Sequence, residues 1–315
     1  MKAITFINLL KKTKGNTSVI FICSIIIVAL LSALITDIGY IAVERYKLAK
    51  NVDLIARIGA EALAESKEKC LEAVKQNTVK RIAGVNNLDI RISDNNREIS
   101  LYVGKKLNYI FLRYIGFSEK QIHSRVTAKL SNVASYKGIR PFAIEKGEYA
   151  FGKQYYLTTT KSVFKKSENG IRVYGLIPLD LGGKNLDTDM IYGYRKKVNI
   201  GDLLYSIPDE LMEISGESIS EIMERCNHDP ACTYENYVEG CPKIIVIPVV
   251  EKGSYDKEAM KVIGFTTFFI EDGKVEEENS KRSITLKGRF IKYTVNATTS
   301  DGMADFGLLG VKLIH

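Results

Sequence analysis

Residues 17–36 (TSVIFICSIIIVALLSALIT) run for twenty positions without a charge. As a helix rising 1.5 Å per residue, such a run spans about 30 Å, the thickness of a bilayer's hydrocarbon core. This predicts a transmembrane helix and so constrains the topology of everything around it. Lys2, Lys11, Lys12 and Lys14 precede the run with no acidic residue among them. The positive-inside rule therefore predicts a basic cytoplasmic tail over 1–16, with the chain beyond Asp37 outside the cell membrane. A cleaved signal peptide is the competing reading, but its apolar region usually measures about 7–15 residues and ends at a small-x-small site. Here the run is longer, and residues 37–66 continue as a helical pattern with no proline before Pro141. An uncleaved single-pass anchor is expected.

The remainder reads as a globular exterior. Hydrophobic content of 45% and charged content of 26% suffice for a core. The formal net charge of +8 is spread along the chain, apart from the leading lysines, and no arginine-rich or aromatic-interleaved stretch marks a nucleic-acid surface. A basic exterior suits acidic cell-wall polymers or anionic headgroups.

Helix signals extend from the membrane to about Ala83. Ile41, Leu48, Val52, Ile55, Gly59 and Ala62 form one stripe, at spacings of 7, 4, 3, 4 and 3. Two readings stand: the stripe packs on its own domain, or it is a partner-helix stripe for neighbouring subunits. Gly59, Ala60, Ala62 and Ala64 allow close approach in either case. A β pattern follows. Leu88, Ile90 and Ile92 alternate with polar residues, Asp94-Asn95-Asn96 supplies a turn, and Ile99, Leu101 and Val103 resume. A short amphipathic helix is expected over 107–115. A third strand carries Ile122, Val126, Ala128 and Leu130 on one face and a solvated His123 on the other. A membrane-rooted helix covering a small antiparallel sheet is a pilin-like layout, because the apolar sheet face must be covered. Residues 37–134 are assigned to it, as helix plus three strands.

Residues 135–315 predict a mostly β exterior module. Candidate strands lie at 154–160, 172–178, 192–198, 243–250, 262–270 and 284–295, and one helix at 209–225 is introduced by Pro208-Asp209-Glu210. The fold class is thus α+β.

Two stretches carry a family resemblance. Residues 15–66 are similar to the N-terminal segment of the Tad (TadE/TadG-like) pilus-assembly proteins. The match is a Gly before the span, Asp37-Ile38-Gly39 at its outer end, and Asp53 followed by GAEALA at 59–64. The later half resembles the exterior part of Gram-positive Tad-like proteins. Its motifs are Gly138-Ile139-Arg140-Pro141, PLDLGG at 178–183, Gly201-Asp202, CPKIIVIPVVE at 241–251 and VIGFTTFFIEDG at 262–273. The resemblance implies a membrane-anchored component that assembles tight-adherence (Flp-type) pili, with the bilayer and other pilus or pilin subunits as partners. Class III prepilins are cut after a Gly and usually carry Glu at the fifth mature position. Cleavage after Gly15 would put Ile20 there, which speaks against processing. It shifts the expected role from fibre building block toward resident assembly factor, with a minor pilin-like protein as the other form of the same reading. The Asp-x-Ser-x-Ser metal motif of members with a von Willebrand A domain is missing from the sequence.

Catalytic signatures are lacking. The sequence has no G-x-S-x-G, no H-E-x-x-H and no phosphate-binding glycine loop after Gly182-Gly183, and it has three histidines including His315. No enzyme activity and no cofactor are expected. Paired carboxylates (Asp187/Asp189, Glu276 to Glu278) read as solvated turns. Of five cysteines, Cys23 lies in the span and Cys70 on a helix, both as small hydrophobes. Cys226, Cys232 and Cys241 crowd together with His228. An oxidising exterior favours a disulfide among the three, with free thiols or a zinc site as alternatives. Two other function classes remain open: a receptor ectodomain needing a separate transducer, and a wall-binding or wall-processing protein using Asp180, Asp187 and Asp202.

Overall fold

The computed structural model describes residues 16–160, 165–168, 171–182, 186–207, 214–252, 259–278, 281–302 and 304–315. The four leading lysines, Gly15, Gly183 and the Pro208-Asp209-Glu210 start lie outside the described residues.

Helix α1 (Asn16–Leu63) runs unbroken for 48 residues, about 72 Å. Its first part is apolar on every side, with mean hydropathy 3.0 over its most apolar window and none of that window buried in the chain. By length and composition it suffices to cross a membrane. Ser24, Ser32 and Thr36 each donate their hydroxyl to the carbonyl four residues back, at 2.8 Å, so these polar side chains need no water.

From Asp37 onward the helix acquires a buried face. Leu48, Val52, Ile55, Ala56 and Ala60 pack on the chain's own sheet with Ile99, Leu101, Val126 and Ala128. The stripe proposed for partner helices is therefore internal core: Ile41 and Ala62 are half-buried against it, and Gly59 is buried. The small residues admit a close neighbour, as expected. A Cβ on Gly59 would lie 2.6 Å from Val74 Cγ2 and 3.1 Å from Ile99 Cδ1.

The helical stretch is two helices rather than one reaching Ala83. It stops at Leu63, and Ser66 caps α2 (Lys67–Arg81) by accepting the Lys69 amide at 3.1 Å. α2 folds back on α1, burying Cys70, Val74 and Thr78.

Strands β1 (Val85–Ile92), β2 (Glu98–Asn108) and β3 (Glu119–Lys137) form the expected antiparallel meander. Asn96 takes φ +54° in the first turn. Ile122, Val126, Ala128 and Leu130 face the helix, while His123 is exposed and stacks on Tyr102. The expected helix over 107–115 is instead the end of β2, then a single 3₁₀ turn at Leu112–Ile115. Ile110, Phe111, Tyr114, Ile115 and Phe117 meet no core and stay exposed, so nothing holds a longer amphipathic helix there.

The second half contains β4 (Phe142–Glu145), β5 (Gln154–Thr158), β6 (Lys165–Glu168), β7 (Ile171–Gly175), β8 (Ile177–Asp180), α3 (Leu186–Tyr192), β9 (Lys197–Asn199), β10 (Leu203–Ser206), α4 (Gly216–Glu224), β11 (Ile244–Lys252), β12 (Ala259–Glu278), β13 (Lys281–Ile291), β14 (Tyr293–Val295), β15 (Thr298–Ser300) and β16 (Leu308–Ile314). β9, β14, β15 and β16 return to the first sheet. Among the described residues that sheet has seven strands, not three, and its long strand β3 crosses the expected boundary at 134/135. The second sheet has the order β10-β8-β4-β11-β12-β13-β5-β7-β6, and β10 also pairs with β12, so its first five strands close on themselves. β11 is buried on both faces, with Ile245, Ile247 and Val249 in one core and Val246 and Val250 in another. That explains its unbroken apolar run.

Two further expectations are corrected. Residues 192–198 hold the end of α3 and only a short strand, since Tyr192 and Tyr194 imitate strand alternation. The helix over 209–225 is described as α4, beginning after Ser215.

Candidate functional site

The Cys/His cluster sits on the segment joining α4 to β11. Cys226 follows the last turn of α4, with its amide bonded to the Met223 carbonyl at 3.3 Å. Cys241 lies three residues before β11, whose first amide, Ile244, donates to its carbonyl at 2.9 Å. Secondary structure thus pins both ends, and His228 and Cys232 are carried between them. Cys226 Sγ lies 3.3 Å from Cys241 Sγ and 3.6 Å from His228 Nδ1, and Cys232 Sγ lies 3.4 Å from the same nitrogen. All four donor atoms fall within 4.8 Å of one another, with Cys232 and Cys241 buried and the other two half-buried.

All three sulfurs are free thiols. The 3.3 Å sulfur separation exceeds the roughly 2.05 Å of a disulfide bond, so the expected cross-link is not formed. Burial pushes the Cys226 thiol up, but contacts from His228, Cys241 and Cys232 and the Cys232 amide outweigh it, drawing the thiol down to about 6. Burial pushes Cys241 up to about 12; Cys226 and Cys232 add to this and the Lys243 amide opposes it. The shell is aromatic and aliphatic, with Tyr234, Tyr237, Ile244, Phe269, Ile291 and Tyr293.

Cys241 also lines a cleft of about 300 Å³ with Arg140, Arg225, Tyr136 and Tyr293. Arg140 is 7% exposed, and its Nε has no hydrogen-bond partner.

A second constellation lies where α1 leaves its apolar part. Asp37 is fully buried, and its carboxylate accepts the amides of Ile110 and Leu112 at 2.7 Å each and that of Phe111 at 3.1 Å. Two helical turns further on, Glu44 accepts Lys105 Nζ at 2.9 Å and Lys47 Nζ at 3.0 Å, contacts that hold its carboxyl below the usual range. The motif residue Asp37 was visible in sequence, but its partners were not. The available signal was the density of large apolar residues from Ile110 to Phe117, which no helical core accounts for.

The remaining candidate carboxylates are tied up locally. Asp180 accepts the Gly182 amide and Asp202 the Asn199 amide, each at 2.8 Å. Asp187 and Asp189 are not solvated turn residues. They lie on α3, where Asp187 accepts the Ser215 amide at 2.8 Å and Asp189 is buried, its carboxyl raised by burial against the pull of Arg195. Glu276 and Glu277 stand on β12 beside Lys274 and Arg282. Glu278 carries no described side chain. Cys70 is buried and raised to about 11 by that burial, and Cys23 is exposed on the apolar part of α1. Comparison with protein-family models, curated proteins and solved structures found no match, so these sites stand on their own geometry.

Proposed function

We propose that the chain is a single-pass component of tight-adherence (Flp-type) pilus assembly, or a minor pilin-like protein, with its N-terminus in the cytoplasm and its β-rich part outside. It acts by binding other proteins of the assembly. The observation that carries this reading is the continuity of α1. One helix provides an apolar length sufficient for a bilayer and then covers the first sheet, with no flexible joint between them. Asp37 ties that joint to the turn after β2, and Glu44 ties it to Lys105 on β2 itself. A domain so rigidly rooted transmits position and force between membrane and exterior, which suits a scaffold better than a tethered receptor.

The ordered motifs that resemble Tad proteins supply the pilus context, and Ile20 in place of the processing glutamate favours a resident factor. The test is deletion of the gene with complementation by the full chain. Pili and surface adhesion should be lost and restored together, and membrane-extracted protein should keep its N-terminal tail by mass analysis. Unchanged pili and adhesion, in cells shown to express the wild-type protein, would refute the assembly role.

A further inference from the structure

Between Glu224 and Ile244 the chain forms neither helix nor strand, an unusually long irregular stretch for a packed domain. Its backbone bonds are sparse. Thr233 bonds to the Asn236 carbonyl, Cys241 to the Val238 carbonyl, and Gly240 to the Tyr293 hydroxyl. Yet the segment holds a defined place. With the turn after α1 it lines a cleft of about 390 Å³, where Tyr234 and Tyr237 face Ala64, Glu65 and Lys69. Something other than secondary structure must fix it.

We propose that Cys226, His228 through Nδ1, Cys232 and Cys241 bind one zinc ion as a closed, tetrahedral Cys3His structural centre that pins this segment against the α1–α2 turn. Tetrahedral zinc, with bonds of about 2.3 Å to sulfur and 2.0–2.1 Å to nitrogen, sets sulfur–nitrogen edges near 3.6 Å and sulfur–sulfur edges near 3.8 Å. The sulfur–nitrogen separations of 3.4 and 3.6 Å match, and the 3.3 Å sulfur pair needs to open by about half an ångström. Closing that pair to a disulfide would leave Cys232 and His228 converging on nothing. Soft thiolates with an imidazole select zinc over calcium or magnesium, and four protein ligands leave no open position for catalysis.

With all three cysteines bound as thiolates and His228 neutral, the centre carries net charge −1. Two guanidinium groups, Arg140 and Arg225, line the cleft that Cys241 also borders. The Nε of Arg140, buried without a hydrogen-bond partner, lies in that same cleft.

The test uses the full-length, untagged chain in detergent micelles, purified without chelator. Metal analysis should find about one zinc per chain. Cobalt(II) exchanged for zinc should show thiolate charge-transfer bands and the visible bands of a tetrahedral site. His228→Cys should retain one metal with shifted cobalt bands, while Cys232→Ser should lose it. If Cys232→Ser does not fold, the wild-type metal content and the His228→Cys spectrum still decide. Chelation should speed amide exchange across 226–241 and leave β1–β3 unchanged. Metal-free protein in which all five cysteines titrate on denaturation, or only three because two of the cluster are paired, overturns the proposal. So does metal retained equally by wild type and Cys232→Ser.

Discussion

The Asp37 carboxylate and the Leu112 backbone amide, 75 positions apart in the chain, meet at 2.7 Å where α1 emerges from its apolar length. The neighbouring amides of Ile110 and Phe111 share the same carboxylate. Three backbone donors of a tight turn are thus satisfied by one helical side chain, as at a helix N-cap but supplied from another element. Asp37→Ala should leave these amides without protein partners. Hydrogen exchange at 110–112 should accelerate at least tenfold relative to the β2 amides in the full chain in micelles. Equal exchange in mutant and wild type would show that the cradle does not order the turn.

The turn that Asp37 holds exposes Ile110, Phe111, Tyr114, Ile115 and Phe117 at the level where the apolar run ends. Aromatic residues at that level match the interfacial belt of membrane proteins. The chain has no tryptophan, so an introduced one reports alone. In bilayers carrying brominated lipid, Phe117→Trp fluorescence should be quenched, whereas Tyr205→Trp on β10 should not. Quenching of neither residue would place the turn away from the lipid.

Glu61 is driven above the usual carboxylate range first by burial and then by the charge of Glu239, with Arg57 opposing. An acid whose folded pKa is raised destabilises the native state above that pKa, and the penalty disappears below the unfolded value of about 4.3. Glu61→Gln should therefore raise the melting temperature at pH 7, with the difference shrinking toward pH 4. A mutant less stable than wild type at neutral pH contradicts the assignment.

Two glycines should respond differently to alanine. A Cβ on Gly288 would stand 2.0 Å from the Phe269 carbonyl oxygen and 2.7 Å from the Phe268 ring. Backbone cannot yield there without breaking the β12–β13 ladder, so Gly288→Ala should cost at least about 3 kcal/mol. At Gly59 the obstructing atoms are the side-chain tips of Val74 and Ile99, and alanine also recovers about 1 kcal/mol of helix propensity. Overpacking of about 1–3 kcal/mol should leave Gly59→Ala only about 1 kcal/mol less stable. Denaturant melts of the two variants should keep this order.

What was readable in the chain was governed by local period. The uncharged run, the stripe from Ile41 to Ala62, the alternation in β1 to β3 and the apolar β11 follow from which residues recur at 3.6, at 2 or without interruption, and each appears where expected. Readings stayed open, or failed, where a local pattern had two possible partners. The stripe left a neighbouring subunit and a sheet of the same chain both open, and packing on its own sheet is what it does. The apolar stretch at 110–117 imitated a helix because sequence does not say whether a core lies beside it.

By itself, then, the sequence determined the apolar helix, the α+β composition and the presence of three cysteines and a histidine within sixteen residues. Tertiary structure alone decided that β14, β15 and β16 return to the first sheet, that Asp37 serves amides more than seventy residues away, and that four separate donor atoms converge to within 4.8 Å. Periodicity records how a residue relates to its near neighbours. Convergence across long separations depends on which faces the chain can bury together, and that is set only when the whole core packs.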